Sequence, residues 1–365
     1  MKNTFGSSLS VTVFGESHGK SIGAVIDGLA AGLEVDEDYI REKLSLRRPS
    51  SNISTPRREQ DEFVIESGVF NSRTTGTPLV IRIPNADTKS GDYAQFLTVP
   101  RPSHADFTSH EKYHGFEDFR GGGHFSGRIT AALVAAGALI MKVLEKNGIF
   151  IGTHVKKCAG ISDIDFSKDL IGDIKSLSKK EFATLSDSVG EEMKNAILQA
   201  KGEGDSVGGI LESVVVGMGT GFGEPFFDSV ESVLSHALFS IPAVKGVEFG
   251  AGFSFADLRG SAANDPFVID GGRVVTETNN SGGINGGITN GMPIILRTVI
   301  RPTPTISREQ KSVDMQKMEN TTLEARGRHD PCIVHRARIV QDCVMALALY
   351  DLIAVRYGTD WAVKE

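Results

Sequence analysis

The sequence predicts an α+β fold, a single domain over residues 1–365, and three observations lead there. Strand-like and helix-like segments are interspersed along the whole chain. One long segment, Gly127 to Lys146, is apolar nearly all round, as a helix enclosed by other elements must be. No proline-rich linker or shift in composition divides the 365 residues, and one large domain can fill that length.

The elements follow in order. Leu9 to Phe14 alternates and is β-rich, so a strand runs into the turn Gly15-Glu16-Ser17-His18-Gly19. Ala24 to Ile26 is a short strand closed by Asp27-Gly28. Asp36, followed by Glu37 and Asp38, predicts a helix N-cap with an acidic first turn, the helix reaching about Leu46. Ser50 to Gln60 lacks periodicity and predicts loop; Phe63 to Phe70 and Leu79 to Ile83 predict strands. Ala86 to Gly123 is polar and turn-rich, and a loop that long inside a compact domain is usually functional. The apolar helix stops at Asn147-Gly148. Two capping boxes, Ser178 to Glu181 and Ser188 to Glu191, announce short amphipathic helices. Strands are predicted at Ile210 to Val216, Val244 to Phe249 and Ile294 to Ile300, helices at Phe227 to Phe239 and from about Arg336 to Arg356. The segment Gly76 to Arg82 echoes Gly291 to Arg297, each a turn feeding an apolar strand that ends in arginine; chance and a duplicated half explain this equally well.

Composition sets bounds on function. The formal charge of −7, from 46 acids and 39 bases, argues against a general nucleic-acid binder. Three cysteines, Cys158, Cys332 and Cys343, cannot all pair and form no C-x-x-C, so a reducing cytoplasm is the expected setting. The N-terminus has no signal-like apolar core. The uncharged run Ile129 to Met141 is shorter than the about 20 residues that span a bilayer, so no membrane association is expected. Glycine is the outlier: 41 residues exceed the usual share of roughly 7%, which implies many tight turns or close backbone approaches.

Gly15-Glu16-Ser17-His18-Gly19 matches the G-x-S-x-G nucleophile elbow in letters. The elbow follows several strands of a hydrolase sheet, however, and this serine comes near the chain start; a site using His18 reads better. His104 sits in Arg101-Pro102-Ser103-His104-Ala105-Asp106, where Asp106 is placed to orient or charge its ring. No histidine spacing matches a metal pattern, so no metal is expected. Arginines cluster twice: Arg47, Arg48, Arg57 and Arg58 lie in a loop between prolines, and Arg326, Arg328, Arg336 and Arg338 stand against Asp330 alone. Arg41, Lys43, Arg336 and Arg338 fall on predicted helices, where a solvated face and an anion contact are equally good readings. The loop arginines suit a ligand with several carboxylates or phosphates. Gly121-Gly122-Gly123-His124-Phe125-Ser126-Gly127-Arg128 runs into the buried helix, whose N-terminal N–H groups can receive an anion. Glycines at 121–127 and 282–287 suggest backbone lying against a flat, phosphorylated cofactor, whereas the 217–223 run is neither G-x-G-x-x-G nor a phosphate loop.

Taken in order, these segments resemble the chorismate synthase family from end to end. The resemblance rests on Gly15-Glu16-Ser17-His18-Gly19, on Ser126-Gly127-Arg128-Ile129-Thr130, and on Arg328-His329-Asp330-Pro331-Cys332 leading to Arg336-Ala337, with Arg47-Arg48-Pro49, Arg57-Arg58-Glu59, Ala243 to Glu248 and Arg301-Pro302-Thr303-Pro304-Thr305 between. It implies helices packed between antiparallel sheets and a homotetramer. The implied reaction is a lyase step, elimination of phosphate from 5-enolpyruvylshikimate 3-phosphate to give chorismate, using reduced FMN without net oxidation. By the same resemblance His18 protonates the leaving phosphate, His104 supplies a proton to the reduced flavin, and Asp330 assists removal of the substrate proton. Arg47, Arg48, Arg57 and Arg128 are implied to bind substrate, and His124, Phe125, Ser126, Ala243, Gly286, Arg301, Pro302, Thr303, Pro304, Thr305 and Arg328 to bind FMN. Some members reduce flavin with NADPH; lacking a dinucleotide fingerprint, this chain is expected to rely on an external reductase or other reductant. The chain departs from the family at His124-Phe125-Ser126-Gly127-Arg128, where Arg-Ser-Ser-Ala-Arg is familiar, and at Pro242, His335 and Asp342. A serine hydrolase and a non-catalytic binder of acidic metabolites are the competing readings.

Overall fold

The computed structural model describes residues 2–49, 51–55, 60–86, 95–325 and 329–363. Its first half opens with β1 (Thr4–Phe5), β2 (Ser10–Gly15) and β3 (Ser21–Asp27), followed by α1 (Glu37–Arg47). The Asp36 side chain accepts from the N–H of Tyr39, giving α1 the cap its sequence predicts. β4 (Val64–Ser67), a hairpin of β5 (Val69–Phe70) and β6 (Arg73–Thr74), and β7 (Leu79–Pro84) come next, then α2 (Asp106–Tyr113) and α3 (Thr130–Lys146).

The second half holds β8 (Phe150–Cys158), β9 (Ile161–Ser162), α4 (Leu170–Leu177), α5 (Asp187–Gly202), β10 (Gly209–Val216), α6 (Val230–Phe239) and β11 (Val244–Phe249). A short α7 (Gly260–Ala263) and two hairpins, β12 (Phe267–Asp270) with β13 (Arg273–Thr276) and β14 (Ile284–Asn285) with β15 (Ile288–Thr289), lead to β16 (Ile294–Ile300). The hairpin of β17 (Gln310–Asp314) and β18 (Glu319–Leu323) precedes the 24-residue α8 (Val334–Tyr357).

The two halves repeat one plan. The first sheet runs β1-β2-β3-β7-β4 and the second β9-β8-β10-β16-β11, each with a two-residue strand at one edge. Each inserts a helix, α1 or α6, between its third strand and its far edge strand, and each ends in a long buried helix. β7 and β16 therefore occupy the same position, which makes the echo of Gly76–Arg82 in Gly291–Arg297 structural. The terminal arginines agree: Arg82 pairs with Glu66 at 2.5 Å, and Arg297 with Glu248 at 2.8 Å, both acids on the edge strand.

α3 packs against the first sheet and α8 against the second, and the helices pack on each other, so a helical layer lies between antiparallel sheets. Their contact is close. A Cβ on Gly137 of α3 would lie 2.4 Å from Cys343 Cβ and 2.5 Å from the Cys343 carbonyl oxygen of α8. The segment Gly127–Lys146 is long and apolar enough to cross a membrane, yet most of it is buried inside the protein, as in a core helix.

Four expectations need correcting. The stretch from Ala86 to Gly123 contains α2. Ser178 ends a helix instead of starting one: α4 is capped by Asp169, whose side chain accepts from Gly172 N–H, and Ser178 is its C-cap. α5 starts two residues early, with Ser186 rather than Ser188 at its N-cap. The glycines at 121–123, 217–223 and 282–287 mostly answer protein neighbours. Cβ atoms on Gly217 and Gly282 would lie 2.0 Å from Gly148 O and 2.5 Å from Gly250 N.

Candidate active site

β2 ends at Gly15, and the chain doubles back through His18 into β3. Two neighbours and one internal bond hold this turn. Ser17 N–H donates to Gly123 O at 3.0 Å, Gly19 N–H to Glu16 O at 3.0 Å, and Asn85 Nδ2 to the carbonyls of Glu16 and Gly19, both at 2.9 Å. His18 is buried, its ring lying on the backbone of Gly121, where a Cβ would come within 2.1 Å of Cε1 and Nδ1. Gly121, Gly122 and Gly123 all have positive φ, 61°, 82° and 53°, a path that L side chains resist.

Two further histidines have fixed tautomers. His124 Nδ1 donates to Gly15 O at 2.7 Å; a carbonyl only accepts, so the proton is on Nδ1. His104 Nδ1 stands 2.6 Å from Asp106 Oδ1. Arg101 holds the same carboxylate through Nε at 2.8 Å and Nη2 at 2.7 Å. Burial alone would raise the Asp106 pKa, but the hydrogen bonds from Arg101 and His104 outweigh it and hold the carboxyl well below the usual range.

Three cavities meet around this turn; two of them, of about 570 and 470 Å³, share His104, Ala105, His124 and Phe125, and the second is also lined by Glu16, Asp106, Glu117 and Asp118. The larger, about 570 Å³, lies within the range of small-molecule sites. Lys2, Lys245 and Arg301 line it with His104, His124 and His236, and among the described residues no carboxylate does. In a chain of charge −7, that is a local anion site. Arg301 Nε and Thr303 Oγ1 are buried with no hydrogen-bond partner among the described residues. Ala243, on the wall, is held at φ 75° while its carbonyl accepts from Arg301 N–H at 3.0 Å.

The third, smaller cavity, about 220 Å³, shares Ser126, Thr130, Ile241 and Pro242 with the larger. Arg47, Arg48, Arg128, Arg336 and Asp330 line it, as do the first turns of α3 and α8, whose positive dipole ends face an anion favourably. Behind it Asp61 is buried, accepting from Arg47 Nη2 at 2.8 Å and from Arg128 Nη1. Burial opposes its ionisation, and the charges of Arg47 and Arg128 nevertheless hold its pKa below normal. Asp330 accepts from Thr55 N–H at 2.9 Å and, through both oxygens, from Arg336 Nη1 at 3.0 Å. Four guanidinium groups against the carboxylates of Asp61 and Asp330 leave two positive charges over.

The sequence model of the family described as chorismate synthase matches residues 9–354. This chain belongs to the chorismate synthase family. Relatives bearing that name are 45% identical over 98% of this chain and 98% of their own in Pyrococcus abyssi, and 44% identical over the whole of both chains in Chitinophaga pinensis. A crystal structure of chorismate synthase superposes with a TM-score of 0.77 at 28% identity, covering 97% of this chain and 94% of that one. The activity for which the chorismate synthase family is named is a carbon–oxygen lyase reaction.

With the family in hand, the predicted residues sort by place. His104, His124, Phe125, Ser126, Ala243 and Arg301 line the larger cavity; Arg47, Arg48, Arg128 and Asp330 line the smaller, with Ser126 common to both. Arg57 and Arg328 lie outside the described residues. His18 sits behind Gly121 and lines neither cavity. Pro302 to Thr305 leave β16 along Ser206, whose hydroxyl donates to Thr303 O at 2.7 Å. Gly286 lies at the exposed tip of the β14–β15 hairpin, and the neighbouring Gly287 carbonyl accepts from Val230 N–H at the start of α6. The opposite end of that helix, about 15 Å away, carries the cavity-lining His236 and Phe239.

Several site residues escaped the sequence reading. Arg336 is evenly divided in the sequence between a solvated face and an anion contact; α8 is enclosed on most sides and Arg336 turns into the smaller cavity. Arg338 and Lys43 are buried too, while Arg41 is exposed and paired with Glu37 and Asp38. Asp61, Asn85 and His236 carried no local signal, because their partners are distant in sequence.

Proposed function

We propose that this chain eliminates phosphate from 5-enolpyruvylshikimate 3-phosphate to form chorismate, with substrate in the smaller cavity and reduced FMN in the larger. The observation that carries this is the shared wall at Ser126 and Pro242, which sets an arginine-lined pocket directly against a carboxylate-free one. A substrate with two carboxylates and a phosphate matches the surplus charge of the first. The phosphate of FMN matches the second, whose Arg301 Nε has no protein partner among the described residues.

Arg301, Thr303, His124, Ser126 and the backbone of Ala243 would hold FMN, with Gly286, Pro302, Pro304, Thr305 and Arg328 assigned to it by resemblance. Bound reduced FMN supplies transient electron density that makes loss of phosphate feasible and then recovers it. Arg47, Arg48, Arg57 and Arg128 bind the substrate anions. His18, which lines neither cavity, is assigned the proton for the departing phosphate by resemblance. His104 keeps one proton at Nδ1 against Asp106, so its Nε2 edge, beside Gly122, is the one that exchanges a proton with the bound ligands. Asp330, anchored by Arg336 and Thr55, serves in removing the substrate proton. Pro242 offers no N–H at the shared wall, so that wall binds through shape and through the Ala243 backbone.

We assign a homotetramer on the exposure of Phe226, Phe227 and Phe253, at 86%, 91% and 84%, since large exposed apolar groups favour an interface. Three buried free thiols suit a reducing cytoplasm, and an external reductase remains the assigned source of electrons. Anaerobic release of inorganic phosphate from 5-enolpyruvylshikimate 3-phosphate with chemically reduced FMN tests the function. Covalent labelling of Ser17 by a fluorophosphonate would instead support a hydrolase, and tight substrate binding without phosphate release a mere binder.

A further inference from the structure

We infer that Asn85 is a positioning residue that locks the turn bearing His18 to the guanidinium of Arg128, an inference that rests on the functional reading above. Asn85 follows β7 directly and lines neither cavity of the site. Its Oδ1 accepts from Arg128 Nε at 3.0 Å, and its Nδ2 donates to Glu16 O and Gly19 O at 2.9 Å each. Those two carbonyls flank Ser17 and His18, so one amide grips the turn on both sides of the imidazole. The backbone N–H of Asn85 adds a bond to Lys20 O at 3.2 Å.

The orientation of the amide has one solution. Rotating it by half a turn would set NH₂ against a guanidinium and a carbonyl oxygen against two carbonyls, which turns three attractive contacts into three repulsive ones. Only asparagine or glutamine joins an acceptor and two donors in one planar group, and glutamine is a methylene too long for this gap. Arg128 is itself held at its other nitrogens, by Asp61 at Nη1 and by Pro84 O at Nη2, 3.2 Å away. The guanidinium is therefore a fixed point, and Asn85 transfers its position to the turn. Proton delivery from His18 to a leaving group bound at Arg128 requires a fixed separation between them, because an error of about 1 Å costs on the order of 10²-fold in rate.

The test compares Asn85→Asp and Asn85→Ala with the wild-type enzyme. Asn85→Asp keeps the acceptor for Arg128 and loses both donors to the turn. It should lower kcat about 10²-fold with KM for the phosphorylated substrate nearly unchanged; Asn85→Ala should also raise KM. Combining Asn85→Asp with His18→Ala should cost little in kcat beyond His18→Ala alone, because the group being positioned is already gone. Equal losses in kcat and KM for Asn85→Asp, or full additivity in the double variant, would overturn the inference. The His18 ring signals in a histidine NMR titration provide a readout independent of turnover. They should move in Asn85→Asp, and unmoved signals would overturn the inference even with turnover reduced. If the wild-type chain released no phosphate, the functional reading would fall while this titration still decided the role of Asn85.

Discussion

Asp106 stands 2.6 Å from Nδ1 of His104 while Arg101 binds both of its oxygens. The carboxylate thus fixes the imidazole tautomer and is itself kept ionised by a second cation. Asp106→Asn should lower kcat about 10²-fold and leave KM for substrate nearly constant. Steady-state kinetics with reduced flavin check this, and an unchanged kcat would remove His104 from the chemistry.

Asp61 gathers Arg47 and Arg128 in a place from which water is excluded. Asp61→Asn should destabilise the fold by about 3 kcal/mol, since it leaves buried charge uncompensated. The sign with pH follows from the lowered pKa. The ionised carboxylate contributes stability above the ordinary carboxyl pKa of about 3.9, and that contribution is lost as pH falls through the lower folded value. Urea midpoints for wild type and variant at neutral and acid pH should converge as pH drops.

Arg301 is the charged group of the larger cavity whose Nε lacks a protein partner among the described residues. Arg301→Ala should weaken FMN binding by about 10-fold or more, the worth of one charge-assisted hydrogen bond. Calorimetric titration with FMN in the absence of substrate reads this directly, and unchanged affinity would move the phosphate site elsewhere.

Gly137 has no room for a side chain against Cys343. Gly137→Ala should cost about 1–3 kcal/mol by forcing α3 and α8 apart, seen as a lower denaturation midpoint. A stabilised protein would mean that the helices yield freely.

His335 is the second residue of α8. It is buried against Phe182 with Nε2 3.0 Å from Ser54 Oγ. Burial first, then the charges of Arg336 and Lys194, push its pKa down to about 3. The unfolded chain titrates near 6.5, so it takes up a proton that the folded chain refuses. Stability should fall as pH drops from about 6.5 towards about 3, and His335→Gln should flatten that part of the profile.

What was legible in the sequence was whatever had a local cause. Ile294–Ile300 matches its predicted limits because five of its seven residues are β-branched, and Val244–Phe249 because the strand formers Val244, Val247 and Phe249 span it. β8 was missed because Gly152, His154 and two lysines interrupt its pattern, although His154 is buried between Asp163 and Glu212. The arginine clusters announced an anion site, but Asp61 and Asn85 are joined to Arg128 across 67 and 43 residues. Such pairings exist only once the sheets have closed. The triple glycine was visible as a close approach; its neighbour proved to be His18.

The stoichiometry of flavin tests the central claim most directly. Anaerobic enzyme with a small amount of reduced FMN should convert a large excess of 5-enolpyruvylshikimate 3-phosphate into equal amounts of chorismate and phosphate, with the flavin still reduced at the end. Oxidation of one flavin per product formed, or phosphate released without chorismate, would contradict it.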